Sequence, residues 1–304
     1  TVAADDTQLR YWVKVAGSEK VMGKLVSDAA IPERGGWCHL PAHFVARMSY
    51  RLFESSPFAE EIETRCQFGY YHGLIDTYIS EKGTADIVAR VFDHCRTLPG
   101  AINRVRCMQG VGEGLAIYTN YELPTALRLC DSFTETRREK DICYIGIFMK
   151  NAFTSYDIFA TRGEIGMIGK NPHFPCNVLS EDERVREMCY YVQPLIMLQL
   201  YNNDFDKVIA ACLSAPENMK TYCISGVGFS AAVPPALPDA RQAFSVCDKV
   251  PKSGTYSREC ATGVIEMFAY IWGSGFNEEA RRFCTLLDKK EQEICLSYAA
   301  SFKE

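Results

Sequence analysis

Fourteen cysteines punctuate this chain, and their spacing restricts its fold more than any other feature. In order they are Cys38, Cys66, Cys95, Cys107, Cys130, Cys143, Cys176, Cys189, Cys212, Cys223, Cys247, Cys260, Cys284 and Cys295. From Cys95 onward, short gaps of 12, 13, 13, 11, 13 and 11 residues alternate with long gaps of 23, 33, 23, 24 and 24. No C-x-x-C pair occurs, so zinc-ribbon spacing and thioredoxin-type redox motifs are absent. Free core cysteines have no reason to keep such a rhythm. It predicts disulfides, and with them an oxidising compartment. Two pairings compete. Joining across the short gaps, with Cys38 to Cys66, uses all fourteen cysteines; joining across the long gaps leaves Cys38 and Cys295 to meet from opposite ends. The first is favoured, and by loop entropy each closure contributes about 3 kcal/mol.

One short and one long gap sum to a period near 36 residues, with a longer unit in the middle. A period of this size points to stacked helical hairpins. The units align around their cysteines as CQFGYYHG at 66, CMQGVGEG at 107, CYIGIFMK at 143, CISGVGFS at 223 and CATGVIEM at 260. Each has glycine three residues after the cysteine; CYYVQPLI at 189 departs, with Val192 there and Pro194 beyond. Downstream segments such as LPTALRLC, FDKVIAAC, ARQAFSVC and EEARRFC carry apolar residues at helical spacing and close on the next cysteine. Each unit therefore reads as helix A with the first cysteine, a turn, and helix B ending at the second. Helix starts are expected near Thr134–Glu135 and near Ser214, Pro216 and Glu217. CMQGVGEG looks like a phosphate loop, but such a loop follows a strand and opens a helix. Here the glycines recur inside a helical pattern. Gly costs about 1 kcal/mol in a helix relative to Ala. Close approach of the preceding helix B is the expected compensation, which makes the stretch a packing seam.

The expected fold is all-α: a solenoid of antiparallel helical hairpins over residues 37–304, stapled by disulfides, with residues 1–36 as an N-terminal cap. Hairpins of this length resemble the Sel1-like and tetratricopeptide repeats, over roughly residues 60 to 300. Cysteine-rich secreted members of the Sel1-like group also carry disulfides. The resemblance is one of class: their alanine, leucine, glycine and tyrosine consensus is not reproduced, their disulfide spacing is shorter, and it implies no ligand-binding residue here.

Net charge of −5 argues against a nucleic-acid partner, which needs clustered Lys and Arg. The most apolar run, Val192 to Leu200, is broken by Gln193, Pro194 and Gln199, so no membrane span is expected. The polar opening TVAADDTQLR suits a mature secreted chain and equally a trimmed one. Two stretches break the rhythm: residues 159–176, rich in Gly and Pro, read as a functional loop or a simple insertion, and AAVPPALPD at 231–239 reads as a stiff turn.

Of five histidines, His39 and His43 stand four apart, the spacing that brings two imidazoles to one metal on a helix. Pro41 is expected to open that helix and leave His39 before its first turn. The sixth residue after each helix A cysteine is His72, Glu113, Met149, Leu195, Phe229 or Glu266. Equivalent positions in an array line one surface, so His72, Glu113 and Glu266 are expected to share a concavity with His39 and His43. Three histidines and a carboxylate suit zinc or another first-row transition metal. The alternative places His72 inside an aromatic core. No nucleophile elbow or P-loop occurs. The leading functional expectation is a secreted, periplasmic or extracellular repeat protein. It would bind another protein or peptide, or serve as one subunit of a larger complex, with Tyr70, Tyr71 and Tyr118 as candidate surface residues. The alternative is a metal-binding protein or metal-dependent enzyme using His39, His43 and His72; a third is an α/α toroid hydrolase using Glu113 and Glu266.

Overall fold

The computed structural model describes residues 6–29, 38–56, 58, 66–83, 85–153, 167–232, 239–272 and 277–302. The described residues are helical and contain no strand. The helices form two compact units, α1–α8 and α9–α15. In the first, α1 (Asp6–Ala16) and α2 (Ser18–Ala29) pack on α3 (His39–Phe53). There Leu9, Val13, Met22 and Leu25 meet Phe44, Val45 and Met48 in one apolar cluster. The A helices α4 (Gly69–Lys82), α6 (Ala101–Tyr118) and α8 (Arg137–Phe153) follow α3 side by side in chain order. The B helices α5 (Ala85–Thr97) and α7 (Leu123–Phe133) pack on each other and on their chain neighbours.

The second unit has the same contact order. Its A helices are α9 (Glu183–Leu200), α11 (Lys220–Ala231), α13 (Tyr256–Trp272) and α15 (Lys289–Ala300). Its B helices are α10 (Phe205–Leu213), α12 (Ala240–Cys247) and α14 (Asn277–Leu286). The apolar pattern assigns the two roles. B helices bury one stripe, such as Val88, Val91, Phe92 and Cys95 on α5. The inner A helices bury unbroken runs, from Arg106 to Ala116 on α6 and from Cys223 to Ala231 on α11, whereas the last, α15, buries only Cys295 and Ala299. A helix covered on all sides lies inside its unit.

The cysteines form seven pairs at disulfide distance: 38–66, 95–107, 130–143, 176–189, 212–223, 247–260 and 284–295. The short-gap scheme therefore holds, five of these bonds join a B helix to the next A helix, and no cysteine is free. Such pairing belongs to an oxidising compartment. No helix among the described residues is long and apolar enough to cross a membrane.

Several local expectations are corrected. Aspartates cap many of the helices: Asp182, Asp204, Asp239 and Asp288 each accept from backbone N–H groups of the first turn. Thr134 instead closes α7, its hydroxyl donating to the Cys130 carbonyl, and Ser214 closes α10. The A-helix glycines do not face helix B. A Cβ on Gly69, Gly110, Gly146, Gly226 or Gly263 would meet the preceding A-type helix, at His39, His72, Gln109, Tyr191 and Ser225 respectively. The cysteine holds helix B, and the glycine three residues on admits the neighbouring A helix. Val192 fits this rule, because α9 is the first A helix of its unit. In the break at 159–176, residues 167–176 are described. The Gln193 amide donates to the carbonyls of Pro172 and Phe174, both at 2.8 Å, and the 176–189 disulfide adds a second tie to α9. Residues 159–166, and 233–238 of the second break, lie outside the described set.

Gly146 and Gly112 touch where α6 meets α8, their Cβ positions running into Gln109 and Cys143 carbonyls. Gly146→Ala is expected to cost about 1–3 kcal/mol by overpacking. Gly23, inside α2 with open space around it, is the control: Gly23→Ala gains up to about 1 kcal/mol of helix propensity. Urea midpoints of the two variants should move in opposite directions.

Candidate metal centre

α3 begins two residues earlier than Pro41 implies. Cys38 is its N-cap and His39 its first residue. A proline in the first turn is tolerated because that turn's N–H groups have no intrahelical partner. His39 and His43 therefore stand one helical turn apart on one face, with Nε2 atoms 3.1 Å from each other. The Cys38–Cys66 disulfide sets the start of α3 beside the turn that leads into α4. It brings the Cys66 carbonyl 3.0 Å from His39 Nδ1.

Glycines then draw the helices together at each functional residue. A Cβ on Gly69 would collide with the His39 backbone, and one on Gly73 would lie 2.5 Å from the His43 carbonyl oxygen. On α6, Gly110 faces His72 and Gly114 faces the Asp76 Cα at 3.1 Å. Both registers run in the same sense, so α3, α4 and α6 are parallel neighbours. Their i, i+4 pairs His39/His43, His72/Asp76 and Gln109/Glu113 consequently meet in one interior layer.

All of these side chains are buried, with His72 and Asp76 at 0 % exposure. The His39, His43 and His72 rings lie with centroids 4.8, 5.4 and 5.7 Å apart. Glu113 Oε2 is 3.7 Å from His43 Nε2, and its Oε1 is 3.5 Å from His72 Nδ1. Gln109 donates to Glu113 Oε1 at 3.2 Å. Asp76 Oδ2 sits 3.1 Å from His43 Nδ1 and 3.4 Å from Lys150 Nζ of α8. His39, His43 and His72 each offer a ligand atom within 4.8 Å of the others, as do His43, Asp76 and Glu113.

Burial disfavours charge on His72, and the neighbouring His39 and His43 reinforce this, so its pKa falls well below the usual value. Burial also opposes ionisation of Asp76. Lys150, the His43 hydrogen bond and Arg47 outweigh it and hold Asp76 well below the usual carboxylate range. Glu113 goes the other way: burial raises its pKa, against the pull of His43 and Lys150. The cluster thus offers a neutral His72 imidazole, one firm carboxylate, and a second whose ionisation a cation would favour.

The structure brings His39, His43, His72 and Glu113 together. Glu266 is in the other unit, on α13, its oxygens accepting from Tyr191 and Tyr298 hydroxyls at 2.6 and 2.7 Å. The sixth position after each A cysteine is interior, not an open concavity: Met149, Leu195 and Phe229 are buried there. Tyr71 is corrected too. It is buried, its hydroxyl 3.3 Å from Cys107 Sγ, while Tyr118 is exposed and Tyr70 partly so. His94 packs on Phe58, and His173, in the second unit, lies 3.1 Å from Ser214 Oγ; neither is among the clustered donors. Sequence reading missed Asp76, Gln109 and Lys150. The four-residue test applied to His39 finds Asp76 from His72 and Gln109 from Glu113; Lys150 reaches Asp76 across 74 residues and has no local signal. No protein-family model, no curated protein and no solved structure matches the chain.

Burial raises the pKa of Glu266 above its ordinary value, despite the two phenol hydrogen bonds. A carboxyl raised in the fold stabilises most below its unfolded pKa, and that contribution is lost as pH rises through the folded value. Glu266→Gln should therefore flatten the decline in denaturation midpoint as pH rises above the ordinary carboxylate range of about 4. An unchanged slope would assign the decline to other groups.

Proposed function

We propose that this chain is a metal-binding protein whose first unit holds one divalent first-row ion between His39, His43, His72 and Glu113. The contact between the two Nε2 atoms carries this reading. His39 Nδ1 faces a carbonyl, which only accepts, so that nitrogen bears the hydrogen. His43 Nδ1 faces ionised Asp76 and bears its hydrogen as well. With both Nδ1 atoms carrying hydrogens, the two Nε2 atoms face each other across 3.1 Å, an arrangement that needs a cation between them, a shared proton or a metal ion. Two nitrogens at 2.0–2.1 Å from a tetrahedral zinc ion lie about 3.3 Å apart. The longer Glu113 spacings likewise suit neighbours around one ion better than hydrogen bonds.

The outer partners fit this role. Asp76 and the Cys66 carbonyl fix both ring orientations, as carboxylate and backbone acceptors do behind metal-bound histidines. The nitrogen-and-oxygen donor set suits zinc or another first-row ion, and every cysteine is committed to a disulfide. Four buried protein ligands make a closed site, which favours tight holding of the ion over an open catalytic position. We read the surrounding helices as a solenoid of hairpins of about 36 residues, the class to which Sel1-like and tetratricopeptide repeats belong. The disulfides support a place outside the reducing cytoplasm, in a periplasm or extracellular space. A second role, contact with another protein, is favoured by Tyr11, Trp12 and Val15, which are 53–60 % exposed on α1. Footprinting in the native fluid should then protect Tyr11 and Trp12 relative to purified protein.

Calorimetric titration of metal-stripped protein with Zn²⁺ tests the main reading. Wild type should bind tightly, His43→Ala should lose binding, and Asp76→Asn should weaken it about 10- to 100-fold. His173→Ala, in the second unit, should bind like wild type. Equal affinity in wild type and His43→Ala would remove the proposal.

A further inference from the structure

We propose that Lys150 is the resident cation of a second, overlapping ligand group, so that the centre takes one metal ion and refuses another. This rests on the metal reading above and extends it to stoichiometry. The donors fall into two groups that share His43: His39/His43/His72, and His43/Asp76/Glu113. The second holds both carboxylates. In a buried layer, two carboxylates beside an imidazole attract a divalent cation; filling both groups would take His43 through both ring nitrogens, with release of the Nδ1 hydrogen, and Glu113 through both oxygens.

Lys150 occupies that second group's electrostatic place. The position seven residues after the A cysteine is Gly73 on α4 and Gly114 on α6, each turned toward the preceding helix. On α8 the same position is Lys150, and its side chain reaches back past α6 to α4. It is 5 % exposed, its Nζ lies 3.4 Å from Asp76 Oδ2, and its charge also acts on Glu113. Arg47 adds a further positive charge toward Asp76. A buried ammonium needs negative partners, and buried carboxylates need a positive one. An ammonium satisfies the charge without coordinating, so Asp76 stays behind His43 as an acceptor and does not become a ligand. A second divalent ion would face this fixed positive charge at contact distance.

Metal-stripped wild type, Lys150→Gln and Lys150→Arg, each incubated with excess Zn²⁺ and desalted, are compared for zinc per chain by elemental analysis. One ion is expected in wild type, two in Lys150→Gln and one in Lys150→Arg. A folded Lys150→Gln chain that holds one ion overturns the proposal. So does a wild-type chain that holds two, a result that needs no variant. A wild-type chain that holds none overturns the underlying metal reading, and this proposal with it. If Lys150→Gln does not fold, the double variant Lys150→Gln/Asp76→Asn removes both members of the buried pair. It is expected to hold one ion, and two ions in it contradict the assignment.

Discussion

Backbone contact between parallel helices at glycine is the interaction on which the first unit depends. Gly69, Gly73, Gly110 and Gly114 let main chain lie against main chain at His39, His43, His72 and Asp76. A methyl group at Gly73 would separate α3 from α4 by more than side-chain rotation can absorb. The separation would also pull the imidazoles of one helix from those of the next. The glycines do not touch a ligand themselves; they set the distance at which side chains from three helices interleave. The same four-residue interval governs both sets because 3.6 residues complete a helical turn. Stripe therefore faces stripe.

The disulfides act at right angles to that contact. α6, α8, α11 and α13 are each pressed to the preceding A helix by glycine and tied to the preceding B helix by sulfur, so both directions of packing are fixed there. Cys38–Cys66 differs, because no B helix is described between its cysteines. It fixes the first turn of α3 against the entry to α4, which places His39 under the Cys66 carbonyl. A bond that elsewhere serves packing here also selects an imidazole tautomer.

Much of this was legible from spacing. Cysteine intervals gave the helical class and the pairing, because a disulfide between sequence-adjacent helices leaves a short, recurring gap. His39, His43, His72 and Glu113 were visible as helical intervals and as equivalent positions in successive units. Pro41 misled, since the first turn of α3 accommodates it. The glycine partner was misassigned because a stripe shows which residues face one way but not which helix they face. Lys150 was invisible for a physical reason: its partner is two A helices away, and only the parallel stacking of α4, α6 and α8 makes a residue on α8 a neighbour of Asp76. Asp76 reads as an ordinary helical acid until that neighbour is known.

Anomalous diffraction from crystals grown with Zn²⁺, collected on both sides of the zinc absorption edge, bears most directly on the centre. One edge-dependent peak is expected within bonding distance of His39 Nε2, His43 Nε2, a His72 ring nitrogen and a Glu113 oxygen. A refined structure without that peak, with the two Nε2 atoms still in hydrogen-bond contact, would show that a proton and not a metal joins them.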